Sequence, residues 1–149
     1  MTALTEKDVM TPDPIMIGAD TTVQKAAEIM RKMDCGILPV GRPDHVLGIL
    51  TDRDIAVRIA AENENAAKTL AREAMSAGHF DCKEDDTLEK AAIEMRKHSV
   101  TRLLVKKGER VTGIVTLGDL LRGPKELQDT DKVLHILLGR GRKKEAHAA

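Results

Sequence analysis

The chain has 149 residues, 42% of them hydrophobic, and its 24 Lys and Arg balance 24 Asp and Glu to a formal net charge of zero. That balance removes any general electrostatic pull toward nucleic acid or a membrane surface, and with no Trp, no Tyr and Phe80 as the sole Phe there is no aromatic platform for stacking bases. No apolar run approaches the roughly 20 residues needed to span a bilayer, Met1-Thr-Ala-Leu has no signal-peptide pattern, and two cysteines point to a reducing cytoplasm.

In chain order, Val9-Met10-Thr11-Pro12 is followed by a short apolar stretch, Ile15-Met16-Ile17. Thr22 reads as a helix N-cap, its hydroxyl able to accept an orphan backbone N–H. Behind it Val23, Ala26, Ala27 and Met30 recur at helical spacing with a narrow face of small residues. Two short strands follow, Ile37–Val40 and Val46–Leu50, around a turn-rich Gly41-Arg42-Pro43-Asp44. A helix then starts near Asp52 and runs through Ile59, and a polar stretch, Glu62–Lys68, leads on.

The same series returns: Ala74-Met75-Ser76, then Phe80-Asp81-Cys82, a helix behind Thr87 with Leu88, Ala91, Ala92 and Met95, strands Arg102–Val105 and Val111–Val115, and a helix from Leu117. Met10–Arg58 lies on Met75–Gly123 at an offset of 65 without a gap, and 16 of the 49 pairs are identical. Average residue usage would give about three. Such a repeat predicts a two-fold object. Because a unit of about 50 residues is marginal alone, the halves are expected to share one core. The expected division is 1–65, 66–124, and a C-terminal amphipathic segment (Val133–Leu138) with a basic tail over 125–149.

Chemistry concentrates in Gly48-Ile49-Leu50-Thr51-Asp52-Arg53-Asp54 and Gly113-Ile114-Val115-Thr116-Leu117-Gly118-Asp119. Each sits where a strand ends and a helix begins, a place suited to an anion. The aspartate, one turn in, can accept two hydrogen bonds from a vicinal diol such as a ribose. Glycine allows close backbone approach. The competing reading is a plain capping box, with Thr51 and Thr116 as N-caps and Asp54 and Asp119 as their N3 partners. The duplication of the whole pattern favours the phosphate-and-ribose reader.

Val9-Met10-Thr11-Pro12, Gly36-Ile37-Leu38-Pro39-Val40 and the Gly48–Asp54 motif, in tandem β-α-β-β-α units, resemble a pair of cystathionine-β-synthase (CBS) domains, also called a Bateman module, over about Val9–Arg122. The resemblance implies an α/β (α+β) fold of two such motifs in a pseudo-two-fold pair. It further implies clefts built jointly by both motifs that take an adenosyl ligand (AMP, ADP, ATP or S-adenosylmethionine). One cleft would use Thr116 for phosphate and Asp119 for ribose, with Thr101, Arg102, Ile114 and Gly118 nearby. Its adenine wall would be Thr11, Met16, Cys35, Gly36 and Ile37, supplied by the other unit. The second would use Thr51 and Asp54, with Ile49 and Arg53 nearby, and Ser76, Asp81, Val100 and Thr101 as its wall. Such pairs usually form a disc-shaped homodimer through exposed helix faces.

Nothing else competes. His45, His79, His98, His135 and His147 lack metal-ligand spacing, Cys35 and Cys82 form no CxxC, and Arg140–Lys144 reads as a solvated tail. No nucleophile–base pair marks an enzyme. The expectation is a regulatory adenosyl-ligand sensor that needs no cofactor and acts on a separate effector protein. The alternative is a protein-interaction module with vestigial clefts.

Overall fold

The computed structural model describes residues 5–122 and Ile136. In chain order the elements are α1 (Glu6–Val9), β1 (Thr11–Pro12), α2 (Val23–Met33), β2 (Ile37–Arg42), β3 (His45–Thr51) and α3 (Asp52–Asp54), which runs into a π-helix (Ile55–Ala60). Then come α4 (Ala71–Ala74), β4 (Ser76–Ala77), β5 (Asp81–Lys83), α5 (Leu88–His98), β6 (Arg102–Lys107), β7 (Arg110–Thr116) and α6 (Leu117–Arg122). The C-terminal amphipathic segment and basic tail lie outside the described residues, apart from Ile136.

The chain divides into two compact units. The first unit is Pro14–His79. The second joins the segment ending at Asp13 to everything described from Phe80 onward. Each repeat is therefore completed by the short stretch that precedes the other one. The expected boundary at residue 65 is corrected accordingly: Thr5–Pro12 belongs with the second repeat and Leu70–Ala77 with the first. Backbone pairing explains it. In the second unit β1 adds to the edge of β7, Thr11 opposite Ile114 and Pro12 opposite Gly113. In the first, β4 adds to β3 in the same register, with Ile49 opposite Ser76 and Gly48 opposite Ala77. A strand edge left unpaired would strand its N–H and C=O groups, and each of these straps covers one.

The sheets are β2-β3-β4 and β1-β7-β6-β5. The hairpins β2–β3 and β6–β7 are antiparallel, and both slip register where the first strand nears its turn, at Val40/Gly41 and at Val105/Lys106. β5 pairs parallel with β6, Cys82 opposite Val105. The corresponding stretch of the first unit makes only an isolated parallel bridge, Ile17 to Val40, so Ile15–Ile17 is not a full strand.

The expected caps form: Thr22 Oγ1 accepts from the Lys25 amide and Thr87 Oγ1 from the Lys90 amide, both at 3.2 Å. The shared core is corrected to two clusters. One holds Ile17, Val23, Ala26, Met30, Leu38, Val40, Leu50, Ile59, Ala71 and Ala74. The other holds Cys82, Leu88, Ala91, Ala92, Met95, Leu103, Val105, Val115 and Leu120. The straps make this possible, because Ala71 and Ala74 complete the first core, and Val9 and Met10 pack against the second. Among the described residues, one buried charge-bearing residue stands apart. Glu6, on α1, is 0% exposed.

Candidate functional site

Each Gly-x-x-Thr-x-x-Asp motif ends a central strand and opens a short helix. In the first unit the Thr51 amide donates to Asp54 Oδ2 at 2.9 Å, and the Asp54 amide donates to Thr51 Oγ1 at 3.1 Å. In the second the Thr116 amide and hydroxyl both donate to Asp119 Oδ2, at 2.8 and 2.9 Å, and the Asp119 amide donates to Thr116 Oγ1 at 3.2 Å. Both capping boxes are thus complete. They satisfy two otherwise orphaned groups at each helix start.

The first-turn donors are further committed. The Asp52 amide donates to the Gly36 carbonyl at 3.0 Å, and the Leu117 amide to the Thr101 carbonyl at 2.8 Å. The Arg53 amide donates to Asp52 Oδ1 at 2.9 Å. The anion-binding capacity expected of these helix starts is therefore largely spent inside each unit. What stays outside the cap is the second carboxylate oxygen of each aspartate, Oδ1.

Both Oδ1 atoms face an arginine that sequence reasoning missed. Arg58 Nη1 lies 3.6 Å from Asp54 Oδ1, and Arg122 Nη2 lies 3.0 Å from Asp119 Oδ1. The spacings i,i+4 and i,i+3 on a helix carry the signal. Arg58 also reaches the strap, donating from Nη1 to the Ala74 carbonyl at 2.7 Å and from Nη2 to Ser76 Oγ at 3.1 Å. It lies in the π-helix, where the Ala61 amide donates to the Ala56 carbonyl, five residues back. Arg53, the expected phosphate neighbour, is exposed and has no ion-pair partner among the described residues.

The motif glycines serve the straps. A Cβ at Gly48 would fall on the Ser76 carbonyl oxygen and 2.9 Å from Met75 Sδ. One at Gly113 would fall on Met10 Sδ and 3.0 Å from the Thr11 carbonyl oxygen. The close approach that glycine permits is thus made by the chain's own strap.

The first unit brings Thr51, Asp54, Ile49 and Ser76 together, with Gly36 and Ile37 alongside, Ile37 standing opposite Thr51 in the β2–β3 ladder. Cys35 packs on the core, and Met16 is half-buried outside any strand. The second unit brings Thr116, Asp119, Ile114 and Thr11 together, with Thr101 and with Arg102 opposite Thr116. Gly118 meets the Arg122 guanidinium, since a Cβ there would lie 3.0 Å from Nη1. Thr11 and Ser76 were each expected opposite their Thr–Asp pair, supplied by the other unit. Instead each lies in the same unit as that pair, because the straps are exchanged. Val100 packs against the second core. Asp81, expected to bring charge to a wall, forms an ion pair with Lys106 at 2.9 Å.

Electrostatics differ between the repeats near α1. Burial opposes ionisation of Asp86, but the Lys83 amide and the Lys90 ammonium outweigh it and hold the carboxyl below its usual range. Lys90 is raised in turn, chiefly by its hydrogen bond to Asp86. Burial, then the nearby Glu6, pushes the Cys82 thiol far up, so it is an inert core residue. No described helix is long and apolar enough to cross a membrane.

The sequence profile of the CBS domain matches residues 7–61 and 71–126. The chain is 35% identical over 114 residues to the CBS domain-containing protein YhcV of Bacillus subtilis, covering 76% of this chain and 81% of that one. It is 32% identical over 123 residues to Hypoxic response protein 1 of Mycobacterium tuberculosis, covering 79% and 83%. A crystal structure of Hypoxic Response Protein I with two coordinated zinc ions superposes with a TM-score of 0.72 at 31% identity, over 81% of this chain and 99% of that one. Among the described residues here, no group of three His, Cys, Asp or Glu is placed to hold a metal. The CBS domain pair of protein MJ0100, in complex with 5′-methylthioadenosine and S-adenosyl-L-methionine, superposes with a TM-score of 0.72 at 29% identity, over 81% and 95%. CBS pairs are regulatory ligand-binding modules, and this chain belongs to the CBS domain family, carrying the domain twice in tandem.

Proposed function

We propose that the chain is a regulatory sensor of an adenosyl-containing small molecule. The observation that carries this reading is the duplicated aspartate. Asp54 and Asp119 are held rigid through Oδ2 by the capping box and keep Oδ1 outside it, with side chains 13% and 16% exposed. A carboxylate fixed in this way is suited to accept hydrogen bonds from a ribose diol, with the partnering arginine swinging aside. The complex of the similar MJ0100 pair with two adenosyl compounds supports the ligand class. Because most of the first-turn amides are already engaged, recognition rests mainly on the ribose and base, and a 5′-phosphate adds less than a free helix N-terminus would provide.

In this reading the ligand changes the module's association with an effector protein. A second copy of the chain would pack on exposed apolar helix residues such as Met33, Val57, Ile93 and Leu121. The two free cysteines, Cys35 and Cys82, accord with a cytoplasmic setting.

Calorimetric titration with AMP, ATP, S-adenosylmethionine and 5′-methylthioadenosine tests the proposal. Saturable heat with at least one, and a melting temperature that rises with it, is expected, because a ligand selective for the folded state must stabilise it. Silence from all four, with no shift in melting, would favour the second reading, an interaction module. That reading draws on the complete capping boxes and on motif glycines already occupied by the straps.

A further inference from the structure

The straps Thr5–Pro12 and Leu70–Ala77 dock in the same way. Each opens with an acid capping its first amide: Asp8 Oδ2 accepts from the Thr5 amide at 2.9 Å, and Glu73 Oε2 from the Leu70 amide at 2.7 Å. Each lies across the start of the long helix of its unit. The Glu6 amide donates to the Asp86 carbonyl at 3.0 Å, as the Ala71 amide does to the Thr21 carbonyl at 2.7 Å. At that equivalent position both residues are wholly buried, yet one is a glutamate and the other an alanine.

Among the described residues, neither carboxyl oxygen of Glu6 has a hydrogen-bond partner, although both are shut off from solvent. The charged groups around it offer no compensation. Asp86, before α5, and Asp119, on α6, are both carboxylates, and the neighbouring β5 turns the Cys82 thiol inward between Asp81 and Lys83, which are exposed. Among the described residues, the cations that pair with these two carboxylates are committed to them, Lys90 to Asp86 at 2.7 Å and Arg122 to Asp119 at 3.0 Å. On α1 itself Lys7 and Asp8 are exposed. An ionised carboxylate in such a place is strongly unfavourable, and a neutral one far less so.

We propose that the Thr5–Pro12 strap is a proton-gated latch: it stays docked while Glu6 is neutral and loosens as Glu6 ionises, withdrawing Thr11 from beside the Thr116–Asp119 site, while the Leu70–Ala77 strap is indifferent to pH. The consequence for ligand rests on the sensor reading above; the latch itself does not.

Burial first, then Asp86 and Asp119, pushes the Glu6 carboxyl from 4.5 up to about 8. The docked strap therefore holds a proton that the released strap gives up. Docking is strongest at or below pH 4.5, weakens as pH rises toward 8, and levels off above it.

Hydrogen exchange on the full chain without ligand tests the latch. The amides of Lys7, Met10 and Asp13, bonded to Glu84, Glu6 and Thr112, report one strap; those of Ala71, Arg72 and Met75 report the other. After correction for intrinsic exchange, protection of the first set should fall by up to roughly tenfold per pH unit between pH 6 and 8 and then flatten. The second set should stay constant, and Glu6→Gln should remove the slope. A flat wild-type profile, or an unchanged slope in Glu6→Gln, overturns the latch. Should Glu6→Gln fail to fold, carbon NMR of the wild-type Glu6 carboxyl decides. Titration near pH 8 supports the latch and titration near 4.5 overturns it. Absent ligand heat with the slope intact would sink the sensor reading alone; a flat profile with ligand heat would sink the latch alone.

Discussion

The two units are copies built on the same Gly, Thr and Asp, yet they hold their straps by different means. In the first, Arg58 ties Asp54 to the Ala74 carbonyl and the Ser76 hydroxyl, and a methyl group, Ala71, fills the buried position. In the second, Arg122 reaches Asp119 from one residue closer, and the buried position holds Glu6. The first strap thus has a charged staple and an apolar plug, whereas the second has a plug that must be neutral to fit. Duplication preserved the backbone constellation, which identical residues enforce. The fastening was free to diverge, because side chains from outside the motif supply it.

The largest effect separates the two cores. Leu38 and Leu103 are the same residue of the repeat and are almost fully buried. Leu38→Ala and Leu103→Ala should each cost about 2–5 kcal/mol in urea denaturation. Because the cores are separate clusters, each loss should expose mainly its own unit's amides to exchange; uniform exposure in both would contradict two cores.

Next comes the buried position. Because Glu6 is raised in the folded state, wild-type stability should fall with rising pH between about 5 and 8, by up to about 1.4 kcal/mol per unit, and Glu6→Gln should flatten the curve. Thermal melts across that range would show it, and Ala71→Gly, at the matching position, should leave the slope intact.

Gly48→Ala sets a methyl against the Ser76 backbone, so about 1–3 kcal/mol of destabilisation is expected, with lost protection in Leu70–Ala77. Arg58→Met should cost about 1 kcal/mol and loosen the same strap, while Arg122→Met leaves Thr5–Pro12 in place. If both arginine variants behave alike, the asymmetry of fastening is mistaken.

The smallest structural change bears on the ligand. Asp54→Asn and Asp119→Asn keep a side-chain oxygen for the cap while halving the acceptors offered to a diol. Calorimetry should show at least about tenfold weaker binding of an adenosyl ligand, one such hydrogen bond to a charged group being worth about 1.5–3 kcal/mol. Wild-type affinity in both variants would remove the aspartates from the site.

Much was legible in the sequence because it is local. The Thr22 and Thr87 caps, the helix faces around Ala26 and Ala91, the hairpins and the Thr–x–x–Asp boxes each depend on residues within a few positions of one another. The roles of Gly48 and Gly113 were not legible, since the backbone that crowds them comes from Ser76 and Thr11, far away in sequence. The π-helix was hidden as well, because Ile55–Ala60 has an ordinary helical composition and only its hydrogen bonds reveal the wider turn.

The amino-acid sequence by itself determined the repeat, the family, the order of elements and the two motifs, since periodicity and capping act over one or two helical turns. Tertiary structure alone decided which strap completes which unit, where Arg58 and Glu6 end up, and that each unit has its own core. Those outcomes depend on edge-strand pairing across about thirty residues in one unit and about a hundred in the other. The backbone N–H and C=O groups of a strap can satisfy either edge, and only the packing of the folded chain selects one.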